Sequence, residues 1–305
     1  MSNCEWALAL HGGAGILKKD MFSQREISDY EKVLTLALEE GKSILESGLS
    51  AVEAVSSAIK ILEDSPLFNA GRGSVIGNTG IIEMDASIMD GQTTQVGGVS
   101  CVKRVQNPIL LAREVMENCP HSLLVGDGTE YFAQKRGIKL KPKEYFYTEK
   151  RWEQLQNARD KKQLVLDHEG QTQTVGAVAM DINGNLAAAT STGGLTNKAY
   201  GRASDTSIIG AGNFAHNDSC AISGTGTGDQ FIRNVTCYDF FALTLYQGKS
   251  LKDAGEIILD KLKRVGGYGG FVAIDKKGNI EINFNSGGMF RGQVSSAEKI
   301  SVGVF

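Results

Sequence analysis

The sequence lacks three features: a long hydrophobic run, a large excess of charge of one sign, and a paired pattern of cysteines. Because about 18 apolar residues in a row are needed to cross a bilayer, no membrane span is predicted, and the first nine residues do not resemble a signal peptide. The net charge of −3 argues against nucleic acid or an anionic membrane as a partner. We therefore expect a cytoplasmic protein.

Several catalytic and binding signatures are also missing. The cysteines are odd in number and widely spread, which favours reduced thiols over disulfides or a zinc site. No H-E-x-x-H is present, and no G-x-S-x-G accompanies His11-Gly-Gly13 as an α/β-hydrolase would require. Gly224-Thr-Gly-Thr-Gly228 matches neither the phosphate-binding loop nor the dinucleotide fingerprint. Neither catalytic zinc nor a nucleotide is expected, and His11 is interpreted as a structural hydrogen-bonding residue.

Glycine is unusually abundant. The 37 glycines make up roughly 12% of 305 residues, against about 7% in an average protein. They cluster between regular segments, which predicts tight turns and places where bare backbone lines a site. The apolar content of 41% and charged content of 22% are typical of a soluble globular protein.

Periodicity predicts helices and strands in alternation. Helices are predicted over 27–46, from Ser50 through Leu62, over 107–116, 128–136 and 229–246, and from Ser250 through 265. In the helix over 229–246 we expect Phe231, Val235, Tyr238 and Leu245 to face inward. Strands are predicted over 5–10, where a glycine loop follows, and over 81–90 and 96–105. The pair Asn183-Gly184 predicts a hairpin between strands over 174–180 and 186–191. A similar pattern recurs over 270–284, as a weak internal repeat.

Two further stretches have both a structural and a functional interpretation. The loop that follows the second helix, residues 62–73, could point carbonyls inward to hold an alkali cation, although an ordinary loop is favoured. Glu83 and Asp85 share one face of a strand and could act as an acid and base pair. We expect instead that they face solvent or a structural partner.

Residues 141–173 form the most polar and least patterned stretch, with a helix favoured only over 149–157. The buried-looking strand that follows begins at Thr174. Threonine is a poor nucleophile unless a base is adjacent. If the chain were cut before Thr174, its new α-amino group, with a pKa of about 7.7–8.0, would supply that base. Thr174 is thus a candidate N-terminal nucleophile.

Six strings in the same order resemble the plant-type asparaginase/isoaspartyl peptidase family of N-terminal nucleophile hydrolases. They are His11-Gly-Gly-Ala-Gly15, Pro66-Leu-Phe-Asn-Ala-Gly-Arg-Gly73, Met84-Asp-Ala-Ser-Ile-Met-Asp-Gly91, Thr174-Val-Gly-Ala-Val-Ala179, Thr190-Ser-Thr-Gly-Gly194 and Ser223-Gly-Thr-Gly-Thr-Gly228. The resemblance covers nearly the whole chain. It implies a single α/β domain with a four-layer αββα sandwich, cut into an α subunit of residues 1–173 and a β subunit of residues 174–305. It also implies a homodimer of such αβ units.

The resemblance further implies a role for each site residue. Thr174 would be the nucleophile in self-cleavage and in hydrolysis of asparagine and β-aspartyl dipeptides, and no catalytic cofactor would be needed. Thr192 would hydrogen-bond to the nucleophile, and Asn69 would orient the nucleophile. Thr225 and Gly226 would form the oxyanion hole. Arg202 would bind the α-carboxylate of the substrate, and Asp205 and Gly228 would bind its α-amino group. Carbonyls of Leu62, Glu63, Ser65, Phe68, Ala70 and Arg72 would hold a structural sodium ion.

Two positions depart from the family pattern. Gln173 stands where the family has glycine before the cleavage site, and glycine tolerates strained backbone at the lowest cost. We therefore predict slow or incomplete processing. Ala203-Ser204-Asp205-Thr206-Ser207 replaces the more usual Val-Gly-Asp-Ser-Pro. Two alternatives remain: a processing-defective homologue that binds aspartyl ligands with little turnover, and a glycosylasparaginase.

Overall fold

The computed structural model describes residues 4–17, 19–160 and 174–305 and has a mixed α/β fold. Its strands are β1 Ala7–Gly15, β2 Met84–Asp90, β3 Val96–Val102, β4 Leu123–Val125, β5 Val175–Met180, β6 Leu186–Thr192, β7 Asn213–Ala215, β8 Cys220–Gly226, β9 Gly269–Asp275, β10 Ile280–Phe284, β11 Gly288–Ser295 and β12 Ser301–Gly303. Its α-helices are α1 Gln24–Glu46, α2 Ala51–Asp64, α3 Pro108–Asn118, α4 Asp127–Lys135, α5 Glu149–Asp160, α6 Gly228–Asn234, α7 Thr236–Gln247 and α8 Leu251–Arg264. Among the described residues, no helix combines the length and apolar character needed to span a membrane.

The strands form two sheets. The larger has the order β12-β11-β1-β5-β6-β2-β3-β4, and the smaller has the order β10-β9-β8-β7. β5 and β6 are neighbours near the centre of the larger sheet, where every residue of both strands is buried. Five of their 13 residues are alanine, a small side chain that suits strands covered closely on both faces. The strand that follows Thr174 is therefore held firmly by pairing on both sides.

Three apolar clusters hold these elements together. One combines the inner faces of both sheets and includes Ala9, Val178 and Val272. A second packs the other face of the larger sheet, including Leu8 and Leu10, against α1, α2 and α3. The third packs β8 and β9 against α7 and α8. The sheets therefore have helices on the faces that they do not share.

Both predicted hairpins are present, but they lie in different sheets. β5 pairs with β6 in the larger sheet, and β9 pairs with β10 in the smaller one. Asp181 Oδ1 accepts the backbone N–H groups of Asn183 and Asn185 and so closes the first turn. The prediction of two antiparallel hairpins is confirmed.

Two predicted boundaries are wrong. The helix predicted over 229–246 is broken at Val235, whose φ of 46° lies in the left-handed region. Val235 and Tyr238 are consequently 46% and 41% exposed rather than inward. The predicted glycine loop after residue 10 is instead part of β1, which continues to Gly15 with a bulge between His11 and Gly13. A bulge re-aims the strand without ending it.

The described part of the predicted linker is more regular than its composition indicates. The helix predicted over 149–157 is confirmed and runs to Asp160 as α5. It is anchored by Arg151, a fully buried side chain whose Nε donates to the Gly73 carbonyl at 2.7 Å. The remainder of the linker, with Gln173 at the predicted cleavage site, lies outside the described residues.

Candidate active site

Thr174 and Thr192 meet at the open end of the β5–β6 hairpin. Register pairing of Val175 with Ser191 places Thr174 opposite Thr192. The Thr174 hydroxyl donates to Thr192 Oγ1 at 3.1 Å, and both residues are buried. Thr192 Oγ1 also accepts the Gly194 N–H at 3.0 Å, which fixes the orientation of its side chain. The two threonines that the sequence singles out are thus in direct contact.

Asn69 acts on the loop that follows Thr192. Its Nδ2 donates to the Gly194 carbonyl at 2.8 Å, and its backbone carbonyl accepts the Gly193 N–H at 2.9 Å. Its Oδ1 accepts the Val75 N–H at 2.9 Å. Asn69 therefore ties the loop after α2 to the loop after β6. That Asn69 orients Thr174 remains a prediction. Asn69 would act indirectly, because it bonds to Gly194, Gly194 bonds to Thr192, and Thr192 bonds to Thr174.

Thr225 and Gly226 end strand β8. Thr225 is buried, and its Oγ1 accepts the Ala14 N–H at 3.3 Å. Gly226 has a φ of 148°, and a Cβ there would lie 2.1 Å from the Tyr268 carbonyl oxygen. Only glycine fits such a position without strain. Gly226 is therefore fixed as glycine by its contact with Tyr268, and its role with Thr225 in an oxyanion hole remains a prediction.

A cation and a carboxyl group meet at Gly228. A Cβ on Gly228 would lie 2.3 Å from Asp205 Oδ1 and 3.2 Å from an Arg202 terminal nitrogen. The same nitrogen donates to Asp229 Oδ2 at 3.1 Å. Burial raises the pKa of Asp205 to about 7, against the opposing effect of Arg202. The three residues predicted to bind an amino acid backbone therefore lie together.

His11 links the nucleophile to the smaller sheet through a contact that the sequence does not reveal. Its Nδ1 lies 3.0 Å from the Thr174 carbonyl oxygen, and its Nε2 lies 3.0 Å from Ser223 Oγ. Burial lowers the pKa of His11 to about 3, so the ring is neutral. Since a carbonyl only accepts, Nδ1 carries the proton and Nε2 accepts from the Ser223 hydroxyl. The structural role expected for His11 therefore has a defined tautomer.

Glu83 and Asp85 are buried and have structural partners, as the favoured interpretation predicts. Asp85 Oδ1 accepts from the Ser100 hydroxyl, and Oδ2 accepts the Ser204 N–H and hydroxyl at 2.8 and 2.7 Å. Ser204 stands where the family pattern has glycine. Its hydroxyl therefore adds a bond that holds the chain one residue before Asp205.

The loop after α2 is shaped by two glycines. A Cβ on Gly71 would lie 2.4 Å from the Glu63 carbonyl oxygen, and one on Gly73 would lie 2.1 Å from the Phe68 carbonyl oxygen. The carbonyls of Glu63 and Phe68, two of those predicted to bind sodium, therefore lie where any side chain at Gly71 or Gly73 would have to be. Leu62 and Ala70 carbonyls each accept one backbone N–H, from Ser65 and Gly73. A carbonyl oxygen has two lone pairs, so each of these oxygens has a second lone pair with which it could bind a cation.

Comparisons with known proteins agree in pointing to one family. A family model described as asparaginase matches residues 4–304. The chain is 44% identical to the isoaspartyl peptidase of Escherichia coli over 98% of this chain and 95% of the relative. It is 39% identical to the isoaspartyl peptidase/L-asparaginase of Xenopus laevis over 98% and 94% of the two chains. It is 43% identical to the protein of the same name from Macaca fascicularis over 91% and 89%.

Proposed function

This chain belongs to the asparaginase family and is a hydrolase, and we propose that it releases L-aspartate from L-asparagine and from β-aspartyl dipeptides. The observation that carries the proposal is the 3.1 Å hydrogen bond between the hydroxyls of Thr174 and Thr192, at the head of a strand paired on both sides. The meeting of Arg202 and Asp205 at Gly228 supports an amino acid as the substrate.

We propose that cleavage before Thr174 precedes the reaction. The cleaved chain gains an α-amino group on the residue that carries the nucleophilic hydroxyl, and this amine accepts the hydroxyl proton. The Thr174 oxygen attacks the side-chain carbonyl carbon of the substrate. Collapse of the tetrahedral intermediate breaks the C–N bond, and the leaving amine takes the proton. Water then hydrolyses the aspartyl ester on Thr174 and releases aspartate.

The neighbouring groups suit the charges of that reaction. We propose that Thr225 and Gly226 stabilise the oxyanion, since removing one such donor typically costs about 10²–10³ in rate. The Arg202 guanidinium suits a carboxylate, which it can bind through two nitrogens. Asp205, with Gly228 beside it, suits the substrate ammonium. An ammonium would also favour the ionised form of Asp205, whose pKa burial raises to about 7.

We also propose the finer organisation implied by the family. Three separate apolar clusters, one between the sheets and two beneath helices, support a four-layer αββα sandwich within a single domain. The processed protein would be a cytoplasmic homodimer of αβ units, with residues 1–173 and 174–305 as subunits. Sedimentation analysis at several concentrations would test the dimer.

We propose a structural sodium ion in the loop after α2. The carbonyls of Glu63 and Phe68 lie over Gly71 and Gly73, and Leu62, Ser65, Ala70 and Arg72 would complete the ligand set. The ion would stabilise the segment that carries Asn69. Exchange of sodium for tetramethylammonium, with chloride constant, should lower the melting temperature if the ion is bound; an unchanged temperature would exclude it.

The main experiment follows chain mass and aspartate release together. Incubation of the purified protein should give fragments 1–173 and 174–305, and Thr174→Ala should abolish both cleavage and release. Gln173→Gly should accelerate cleavage, because glycine adopts a strained backbone conformation at the scissile bond at the lowest cost. If the wild type releases aspartate without ever splitting, the mechanism is wrong. If it does neither while Gln173→Gly does both, the wild type is a processing-defective homologue. Faster release from a glycosylated asparagine would indicate a glycosylasparaginase.

A further inference from the structure

Lys198 is a buried cation that none of the roles above uses. Its side chain is 1% exposed and ranks among the largest fully buried side chains. Its Nζ donates to the Glu83 carbonyl oxygen at 2.6 Å. An ammonium has three N–H groups, so this bond leaves two available. In the part of the chain that the structure describes, no carboxylate lies within ion-pair distance of this ammonium.

The ammonium lies beside the candidate carboxylate site. A Cβ on Gly194 would lie 3.0 Å from Lys198 Nζ and 3.4 Å from an Arg202 terminal nitrogen. Two cations therefore lie next to the position that a Gly194 side chain would occupy. Gly194 is also the residue whose N–H contacts Thr192 Oγ1 and whose carbonyl contacts Asn69. Lys198 is thereby adjacent to the loop that holds the nucleophile pair.

The surrounding carboxylates already have partners of their own. The oxygens of Asp85 accept from Ser100, Cys101 and Ser204. Glu83 Oε2 accepts the Gly201 N–H at 2.9 Å. Burial is the largest effect on the pKa of Lys198 and lowers it, with Arg202 acting in the same direction and Asp85 and Glu83 opposing. The electrostatic environment near Gly194 would therefore be improved by an added anion.

We propose that Lys198 is a specificity-determining residue that supplies a second positive charge at the α-carboxylate site, acting with Arg202 beside Gly194. The inference rests on the proposed function. A charge shielded from water acts more strongly over a few ångströms than an exposed one. In a β-aspartyl linkage the α-carboxylate is free, whereas in an α-aspartyl linkage it is consumed in the peptide bond. Lys198 would therefore favour the β-linked substrate.

The test compares two ligands that differ only at the α-carboxylate: L-aspartate, and its α-carboxamide, isoasparagine. Their binding is measured by calorimetry on the full protein. The wild type should prefer aspartate by at least about 100-fold, as two shielded cations facing one carboxylate imply. Lys198→Gln keeps an N–H donor for the Glu83 carbonyl but removes the charge. It should reduce the preference by about tenfold or more, with isoasparagine binding changed less than about threefold.

Matched variants separate charge from structure. Lys198→Arg keeps the charge and should retain most of the preference. Lys103 contacts Tyr200 of the same loop but pairs with Asp127 at the surface, so Lys103→Gln should leave the preference unchanged. Equal weakening of both ligands in Lys198→Gln would show a purely structural role. A wild-type preference below about tenfold would overturn the inference even if the glutamine variant did not fold. Failure of the wild type to release aspartate would instead contradict the proposed function, while the binding measurement still decides the role of Lys198.

Discussion

The two hairpins of this protein have nearly the same turn and entirely different open ends. Asp181 and Asp275 each accept two backbone N–H groups through Oδ1. The glycines that complete the turns, Gly184 and Gly278, share a φ of 78°. The repeat in the sequence therefore corresponds to a repeated local structure.

When the two hairpins are aligned by Asp181 and Asp275, Thr174 corresponds to Tyr268 and Thr192 corresponds to Ser286, at the open ends. Thr174 donates to Thr192, whereas the Ser286 hydroxyl donates to the Gly288 carbonyl at 2.9 Å. The first hairpin lies inside the larger sheet, and the second includes the edge strand β10. The turn therefore fixes the register of the two strands in each hairpin. The neighbouring strands determine whether the open end of the hairpin lies in a candidate active site.

The largest expected difference between the hairpins concerns the two hydroxyls at equivalent positions. Thr192→Val removes the hydroxyl that contacts Thr174 and should lower kcat by about 10²–10³-fold, as the loss of one activating or orienting group typically does. KM should change little, because Arg202 and Asp205 are untouched. The rate is measured per molecule cleaved before Thr174, counted by mass, so that slow processing is not mistaken for slow turnover.

Ser286→Ala is the matched control in the second hairpin. Within the described part of the chain its hydroxyl hydrogen-bonds only to its own loop, so kcat should stay within about twofold of the wild type. If both variants lost activity equally, the open end of the first hairpin would have no special status.

A second prediction concerns the next pair of equivalent positions, Ser191 and Asn285. Ser191 donates at 2.6 Å to the buried carboxyl of Glu63, whereas Asn285 bonds the backbone of Gly269 and Leu259. Burial raises the pKa of Glu63 from its ordinary 4.5 to about 8. Between these values the folded protein holds a proton that the unfolded chain releases. This group therefore lowers stability as pH rises through the window, by at most about 1.4 kcal/mol per pH unit.

Glu63→Gln should remove this pH dependence. Urea unfolding at constant sodium concentration, from pH 5 to pH 8, gives the free energy of unfolding of both proteins. As pH rises, the free energy of unfolding of the variant should increase progressively relative to that of the wild type. His11, whose pKa is lowered to about 3, and Asp205 are present in both proteins and cancel from that difference. Parallel curves would show that Glu63 does not titrate in this range.

The sequence predicts what depends on local residues. Asn183-Gly184 specifies a tight turn by its backbone preferences alone, so the β5–β6 hairpin and the position of Thr174 at its open end could be predicted. The break at Val235 could not, because valine is not a residue that favours a left-handed conformation. The break is associated with contacts distant in sequence: the Gly210 carbonyl accepts the Tyr238 N–H at 2.8 Å, and a Cβ on Gly210 would lie 3.3 Å from the Val235 side chain.

For the candidate site, sequence motifs predict which residues belong to it but not how those residues contact one another. Thr174, Thr192, Arg202 and Asp205 come from strings that resemble a known family. The contacts of His11 were not predictable, because its partners Thr174 and Ser223 are 163 and 212 residues away in sequence. Lys198 carries no signal as a residue type, since lysine is ordinarily exposed. What distinguishes it is burial, which depends on the whole fold.

The smallest expected effect separates the two turns themselves. Besides its two turn bonds, buried Asp181 accepts the Ala51 N–H through Oδ2 at 3.2 Å and so anchors the first residue of α2. Among the described residues, Asp275 Oδ2 accepts a hydrogen bond from the neighbouring Asn279 side chain and from no other group. Asp181→Ala should therefore cost about 2–3 kcal/mol in the free energy of unfolding, because it leaves the buried Ala51 N–H and two part-buried turn N–H groups without acceptors. Asp275→Ala should cost about 1 kcal/mol, because its two turn N–H groups are exposed. Urea unfolding of both variants measures the difference. Equal losses would mean that the bond from Asp181 to the first residue of α2 adds nothing to stability beyond the turn bonds that both hairpins share.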